Sequence, residues 1–284
     1  MPNTAFINSK FLNFKDAKVH VEDRGLQFAD SVYEVIAVVN KNLIDLNFHF
    51  QRLKYSLGEL DIKYKVNDIK LTKIFKKLIK DSSIKEGIIY LQITRGIQPR
   101  EHVYKKNLKP TVIIYSRRKK FNLPSKKLKG VKAITHEDLR WNRRDIKTVN
   151  LLPNVLAANL ANKKNAYEAI LIKNQKITEG TSSNIWMIKN NNLLTHPTNT
   201  DILRGVTRTR LKILIKENNL KLSEKSFTKR QLYNADEVFL TSSGSFVTPI
   251  TKIDSMLINK GKIGNITLKL ANLYSKSFIN ERNK

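Results

Sequence analysis

Cysteine is absent from this 284-residue chain, which removes disulfides, thiolate metal ligands, iron–sulfur clusters and cysteine nucleophiles together. That absence suits a reducing compartment, and no metal site is expected. Glycine and proline are scarce, at 10 and 7 residues, and no repeat or biased tract occurs, so collagen-like and low-complexity classes are excluded. Long apolar runs are missing too. Met1 to Lys18 mixes Asn, Lys and Asp with short apolar pairs, unlike a secretory signal, and no later stretch approaches a membrane span. The expectation is a cytoplasmic protein with no membrane partner.

Acidic residues are the minority charge: 24 Asp and Glu face 53 Lys and Arg, a formal net charge of +29. Such a balance invites a nucleic-acid reading. Its texture argues against one, because 39 of the cations are Lys and only 14 are Arg, spread along the chain rather than clustered with aromatics. The runs Arg117-Arg118-Lys119-Lys120 and Lys126-Lys127 suit a solvated linker as well as a contact patch. No nucleic-acid partner is expected. A diffuse positive field can still attract anionic metabolites.

What is present is an ordinary globular composition, 40% hydrophobic, enough for one large core or two moderate ones. Thr4–Leu12 and Ser31–Val39 are β-rich, and Asn40-Lys41-Asn42 reads as a hairpin turn. Phe48, Leu53, Leu57 and Leu60, then Ile69, Ile74, Leu78 and Ile79, recur near helical spacing and predict core faces of two helices. Ile88–Arg95 and Thr111–Tyr115 are apolar runs bounded by Gly, Pro and Asn, hence buried strands. The basic, polar stretch from Arg117 to Leu128, with Pro124, predicts a boundary between a small α/β domain over 1–120 and a larger domain over 121–284. Beyond it, Val131–Thr135, Ala169–Lys173, Ile185–Lys189, Asn192–Thr195 and Glu237–Ser242 read as strands. Pro153–Asn165, Thr207–Asn218 and Ile266–Ile279 read as helices. The class is α/β in the broad, α+β sense.

Four segments could carry chemistry. In Arg140–Leu152, Lys147 stands among Ile146, Thr148, Val149 and Leu151-Leu152; by number it is one ordinary Lys among 39, though an apolar pocket would disfavour its ammonium and suit Schiff-base chemistry. Thr178-Glu179-Gly180-Thr181-Ser182-Ser183-Asn184 sets an acid in a hydroxyl-rich turn, which by itself is equally ordinary turn chemistry. Leu203-Arg204-Gly205-Val206-Thr207-Arg208 is a Gly loop entering a helix, offering backbone N–H groups to a phosphate. Pro99-Arg100-Glu101-His102 places Arg and His two apart after a strand, where both could face one anion, or simply solvent.

Taken together, these segments resemble the fold-type IV pyridoxal-phosphate enzymes, and within them the D-amino acid (D-alanine) aminotransferases. The resemblance runs from Val21-Glu22-Asp23-Arg24-Gly25-Leu26-Gln27-Phe28 through Val32-Tyr33-Glu34-Val35, His49-Phe50-Gln51-Arg52-Leu53, Thr94-Arg95-Gly96 and Arg100-Glu101-His102. It continues through Asp145-Ile146-Lys147-Thr148-Val149-Asn150, Tyr167-Glu168-Ala169, the Glu179 segment and Leu203–Arg208, covering nearly the whole chain. It implies a small α/β domain followed by a larger pseudo-barrel domain, and a homodimer in which the Arg100–His102 loop reaches the neighbour's site.

The resemblance also implies roles. Lys147 would hold pyridoxal 5′-phosphate as a Schiff base and shuttle the substrate proton, and Glu179 would pair with the pyridine nitrogen. Arg52, the N–H groups of Val206 and Thr207, the Thr207 hydroxyl and Ser243 would cradle the phosphate, while Leu203 would pack on the ring. Tyr33, Arg100 and His102 would trap the substrate α-carboxylate, selecting D-amino acids as donors and 2-oxo acids as acceptors. Branched-chain L-aminotransferases, R-selective amine transaminases and aminodeoxychorismate lyases of the same fold are the alternatives. The chain departs from the family at Phe28-Ala29-Asp30-Ser31, where glycines are expected, and at Gly244, where the family often has a hydroxyl.

Overall fold

The computed structural model describes residues 3–124 and 128–280; the Lys126-Lys127 pair lies outside the described residues. The chain divides into two compact units, Met1–Lys120 with Ile146–Asn150, and Phe121–Asp145 with Leu151–Lys284.

The first unit contains β1 (Thr4–Ile7), β2 (Lys10–Asn13), α1 (Arg24–Phe28), β3 (Ser31–Val39), β4 (Asn42–Leu43), α2 (Leu46–Glu59), α3 (Asp68–Asp81), β5 (Glu86–Thr94) and β6 (Val112–Arg118). Its six strands form one sheet in the order β2-β1-β6-β5-β3-β4, antiparallel throughout. The stretch Thr4–Leu12 is a hairpin rather than one strand, because Asn8 and Ser9 adopt positive φ (48° and 89°) and turn the chain. Helix α3 starts where Asn67 Oδ1 accepts the Lys70 N–H at 2.9 Å and buries Leu71, Ile74, Phe75, Leu78 and Ile79. Ile69, expected on that face, is 71% exposed, since it lies two residues from Leu71 and so on the opposite side of the helix. Leu53 and Leu57 of α2 join Phe50, Phe75, Leu78, Ile89 and Ile93 in the core of this unit.

Ile146–Asn150 belongs with the first unit, whereas the domain boundary read from sequence assigns it to 121–284. The physical reason is pairing: Thr148 bridges Val32 in an antiparallel register, the Tyr33 N–H donates to Lys147 O at 3.0 Å, and Ile146 enters the core beside Ile36 and Leu53.

The second unit contains β7 (Val131–Glu137), α4 (Leu152–Lys163), β8 (Glu168–Lys173), β9 (Lys176–Gly180), β10 (Asn184–Lys189), β11 (Asn192–Thr195), α5 (Val206–Glu217), β12 (Lys221–Glu224), α6 (Lys229–Tyr233), β13 (Glu237–Ser242), β14 (Phe246–Ile253), β15 (Met256–Leu257) and α7 (Asn265–Asn280). The sheet runs β12-β11-β10-β13-β14-β7-β8-β9, with β15 on β14; β11/β12, β14/β7 and β7/β8 are parallel pairs. Strand β9 ends this path, yet only Thr181–Ser183 separate it from β10 near the other end, so the sheet must curl back in the manner of a barrel. Ile170, Ile177, Ile185, Val238, Leu240 and Ile250 fill its core. No helix among the described residues is long and apolar enough to cross a membrane.

Candidate active site

In the first unit, β3 is the positioning element. Successive residues of a strand face opposite sides, so Tyr33 and Glu34 diverge. The backbone bonds Tyr33 N–H to Lys147 O (3.0 Å) and Lys147 N–H to Ser56 Oγ (3.1 Å) fix the lysine against β3 and α2. Its Nζ lies 4.1 Å from the centroid of the Tyr33 ring. The half-buried lysine thus rests on a π face rather than in the purely apolar setting its sequence neighbours suggest. Tyr33 in turn stacks on Tyr90, whose hydroxyl is pushed above its ordinary value by burial and by neighbouring Tyr115 and Tyr33.

Glu34 faces a buried trio. Its Oε1 accepts Arg52 Nε at 2.8 Å, its Oε2 accepts Arg52 Nη2 at 2.7 Å, and His49 Nδ1 sits 2.6 Å from the same Oε2. Burial opposes ionisation of Glu34, but the charge and hydrogen bonds of Arg52, helped by His49, outweigh it and hold the carboxyl at about 2. Burial pushes His49 below its ordinary value against the pull of Glu34. The Nε–Nη2 edge of Arg52 is therefore committed to Glu34, and a phosphate would have to be met from the other edge of the guanidinium. Arg100 and His102 are exposed; the described contacts of their side chains are with Phe28, at 5.0 Å from the Arg100 Cζ and 5.5 Å between ring centroids, and none joins them to Tyr33 or Lys147 of the same chain.

In the second unit, Glu179 near the end of β9 is 4% exposed. Its Oε1 accepts Arg140 Nη1 at 2.5 Å, and its Oε2 accepts Asn184 Nδ2 at 2.9 Å and the Leu203 N–H at 3.0 Å. Arg140 also grips Asp138 through Nε and Nη2 at 2.9 and 2.8 Å. Burial pushes the Glu179 carboxyl up, and Arg140 pulls it back down. Asn184 donates to the Leu203 carbonyl as well, at 2.9 Å, so one side chain ties the acid to the Leu203–Gly205 loop. This unit brings Glu179, Leu203, Val206 and Thr207 together. Ser243 occupies the turn between β13 and β14, half-buried, beside the Ser242–Ser245 hydroxyl pair.

Sequence reasoning missed Glu34, His49, Asp138, Arg140 and Asn184. A signal existed for one pair: Asp138 and Arg140 are two apart in extended chain, the spacing at which side chains share a face, and a buried acid requires a cation.

A family model described as amino-transferase class IV matches residues 31–253. The chain belongs to this family. D-alanine aminotransferase of Bacillus licheniformis is 41% identical over 278 residues, covering 98% of each protein. Among solved structures, the branched-chain aminotransferase of Thermoproteus uzoniensis with norvaline superposes with a TM-score of 0.86 at 25% identity, covering 96% of this chain and 93% of that one. The T.th. branched-chain amino acid aminotransferase with pyridoxamine 5′-phosphate gives 0.88 at 23% identity, over 97% and 94% of the two chains. At such identities these structures speak for the fold.

As a class IV aminotransferase the chain uses pyridoxal 5′-phosphate, and its residues fit that group. Helix α5 opens at Gly205 with no side-chain cap, leaving its first-turn N–H groups to a phosphate. A Cβ on Gly205 would stand 2.0 Å from Asn184 Oδ1, so glycine is required there for the loop to close on Asn184. Glu179 supplies a buried acid whose nearest cation is already shared with Asp138, the donor set a protonated ring nitrogen would complete.

Proposed function

We propose that this class IV aminotransferase moves the amino group of D-alanine and related D-amino acids to a 2-oxo acid such as 2-oxoglutarate, in a ping-pong reaction. The observation that carries the reading is the near-complete, 41% identical correspondence with the Bacillus licheniformis D-alanine aminotransferase. When bound, pyridoxal phosphate supplies the electron-withdrawing ring that makes the substrate α-proton labile.

Lys147 would be the base: its Nζ would hold the cofactor and, once freed, would take the proton from the substrate α-carbon and carry it. Tyr33, against which Nζ rests, orients it and contributes its hydroxyl toward the substrate carboxylate. Glu179 would pair with the protonated pyridine nitrogen, and Arg140 offsets part of the upward push that burial gives the Glu179 carboxyl. Arg52, the N–H groups of Val206 and Thr207, the Thr207 hydroxyl and Ser243 would hold the phosphate, and Leu203 would pack on the ring. Arg100 and His102 clamp the substrate α-carboxylate with charge-assisted bonds, and that clamp decides which hydrogen of the α-carbon meets Lys147.

The working form in this reading is a homodimer in the cytoplasm. Two observations support the dimer: Arg100 and His102 make no described contact with Tyr33 of their own chain, and α4 exposes Leu152 (67%), Val155 (49%) and Leu156 (63%). The test is the visible absorbance of the cofactor-loaded protein on adding D-alanine and, separately, L-leucine or L-alanine. Loss of the band with D-alanine alone is expected. Loss with the L-amino acids alone would put a branched-chain L-aminotransferase in its place, and pyruvate plus an aromatic amine from aminodeoxychorismate would mark a lyase.

A further inference from the structure

The Arg100–His102 loop has no secondary structure of its own, yet its backbone carbonyls are taken one after another by side chains from outside it. Arg24 Nη1 donates to Glu101 O at 2.6 Å, Arg24 Nη2 to His102 O at 3.3 Å, and Gln98 Nε2 to Val103 O at 2.8 Å. Arg24 lies in the short helix α1, is only 4% exposed, and is itself anchored through Nε to Asp30 Oδ2 at 2.8 Å. The same Asp30 oxygen accepts Arg95 Nε at 2.7 Å, and Arg95 caps the end of α2 at Leu60 O (2.6 Å) and Asp61 O (3.1 Å) while stacking 3.7 Å from the Tyr104 ring. Loop, helix α1 and helix α2 are thus joined through one carboxylate.

Phe28 completes the arrangement. Its ring lies 4.7 Å from the Arg24 Cζ, 5.0 Å from the Arg100 Cζ and 5.5 Å from the His102 ring centroid. The two side chains of the clamp rest on one aromatic surface, while the backbone beneath them is tied to a buried cation. Arg24 cannot meet substrate itself, because it is buried and its donors face Asp30 and the loop.

We propose that Arg24, anchored by Asp30 and backed by Phe28, is a positioning residue that pre-orders the Arg100–His102 loop for the α-carboxylate of both the amino-acid donor and the 2-oxo-acid acceptor. This rests on the D-amino acid reading above. A loop ordered before binding loses less freedom when the anion arrives, so the effect belongs in substrate affinity rather than in the chemical step.

The experiment measures KM and kcat for D-alanine and for 2-oxoglutarate, together with cofactor affinity by fluorescence titration, in the wild type and in Arg24→Gln, Arg24→Lys and Phe28→Leu. Expected for Arg24→Gln is a rise in both KM values of about tenfold or more, with kcat within about threefold and cofactor affinity unchanged. Arg24→Lys, which keeps the charge for Asp30 but cannot reach two carbonyls, should recover only part of the loss. Should Arg24→Gln fail to fold, Phe28→Leu decides, through a KM increase of roughly threefold without loss of cofactor affinity. Unchanged KM values, or a rise in KM accompanied by comparable losses of kcat and cofactor affinity, would overturn the proposal while leaving the D-amino acid reading intact. A wild type that does not accept D-alanine overturns both.

Discussion

Arg140 reaches Glu179 through Nη1 at 2.5 Å while its other edge holds Asp138 at 2.8 and 2.9 Å. One cation thus serves two buried carboxylates, and Asp138 has a second in Arg144, whose Nε lies 3.3 Å from Oδ2. Burial raises Glu179, Arg140 lowers it, and the Asp138 charge raises it again. Replacing Arg140 with Gln removes the main lowering influence and leaves only that of the Leu203 N–H, so the Glu179 carboxyl takes up its proton at higher pH. The acid limb of kcat/KM should move upward by about one pH unit or more. A pH–rate profile checks this, and a limb that stays in place would separate Arg140 from the role given to it.

Gly205 has an ordinary extended backbone, φ −62° and ψ 136°, so its smallness serves space and not backbone freedom. An Ala Cβ there would stand 2.0 Å from Asn184 Oδ1, and Asn184 is the side chain joining Glu179 to the Leu203 carbonyl. Gly205→Ala should therefore disturb the acid and the start of α5 together. Cofactor affinity is expected to fall by about tenfold or more, of the order set by losing one or two buried hydrogen bonds, read by titration of the apoprotein. Equal affinity in the variant would mean that Asn184 can move without consequence.

Much of the fold is legible in the sequence. Strands β3 and β5 announce themselves through β-branched runs, and α3 through its apolar periodicity, because burial on one face imposes a period on the residues. Strand β14 did not, since Pro249 and three hydroxyl- or amine-bearing residues break its pattern; it tolerates the proline because pairing with β7 begins only at Ile250. Helix α1 spans five residues, too few to show a period. Lys147 and Glu179 could be named from the family resemblance of their segments, not from local pattern alone. Their supports could not: Glu34 meets Arg52 across 18 positions and Arg140 meets Glu179 across 39, and nothing local encodes such a meeting.

Lys147 contributes one backbone N–H to Ser56 and its carbonyl to Tyr33, and neither involves the side chain. Lys147→Ala should leave the fold and the β3 pairing unchanged while abolishing turnover and the visible band of the lysine-bound cofactor. Circular dichroism and absorbance check the two halves. Transamination persisting near the wild-type rate would take the base away from Lys147.

Ala29 closes α1 in the left-handed region, φ 55° and ψ 23°, at a position where the family resemblance calls for glycine. A Cβ there costs about 1–2 kcal/mol, and glycine would give back roughly 0.4–1 kcal/mol through a freer unfolded chain. Ala29→Gly is therefore expected to stabilise the protein by about 1 kcal/mol or less. Denaturant midpoints decide it, and a destabilised variant would show that the helix end carries no strain.

Glu34 makes the first unit sensitive to acid with a predictable sign. Its carboxyl is held at about 2 against an ordinary value of 4.5, burial opposing and Arg52 prevailing. A depressed carboxyl stabilises the fold fully above its unfolded value, and that contribution drains away as the pH falls from 4.5 towards 2. The gap corresponds to roughly 3 kcal/mol. Glu34→Gln removes the titrating group and should flatten this part of the stability curve. It also leaves the buried Arg52 charge without its carboxylate, a loss of about 3–5 kcal/mol at neutral pH. Urea unfolding at neutral pH and at two acid values tests both effects: the variant should begin weaker and lose less on acidification. If it kept the wild-type acid slope, the acid sensitivity would lie elsewhere, and the Glu34–Arg52 pair would be a structural contact whose protonation does not matter to folding.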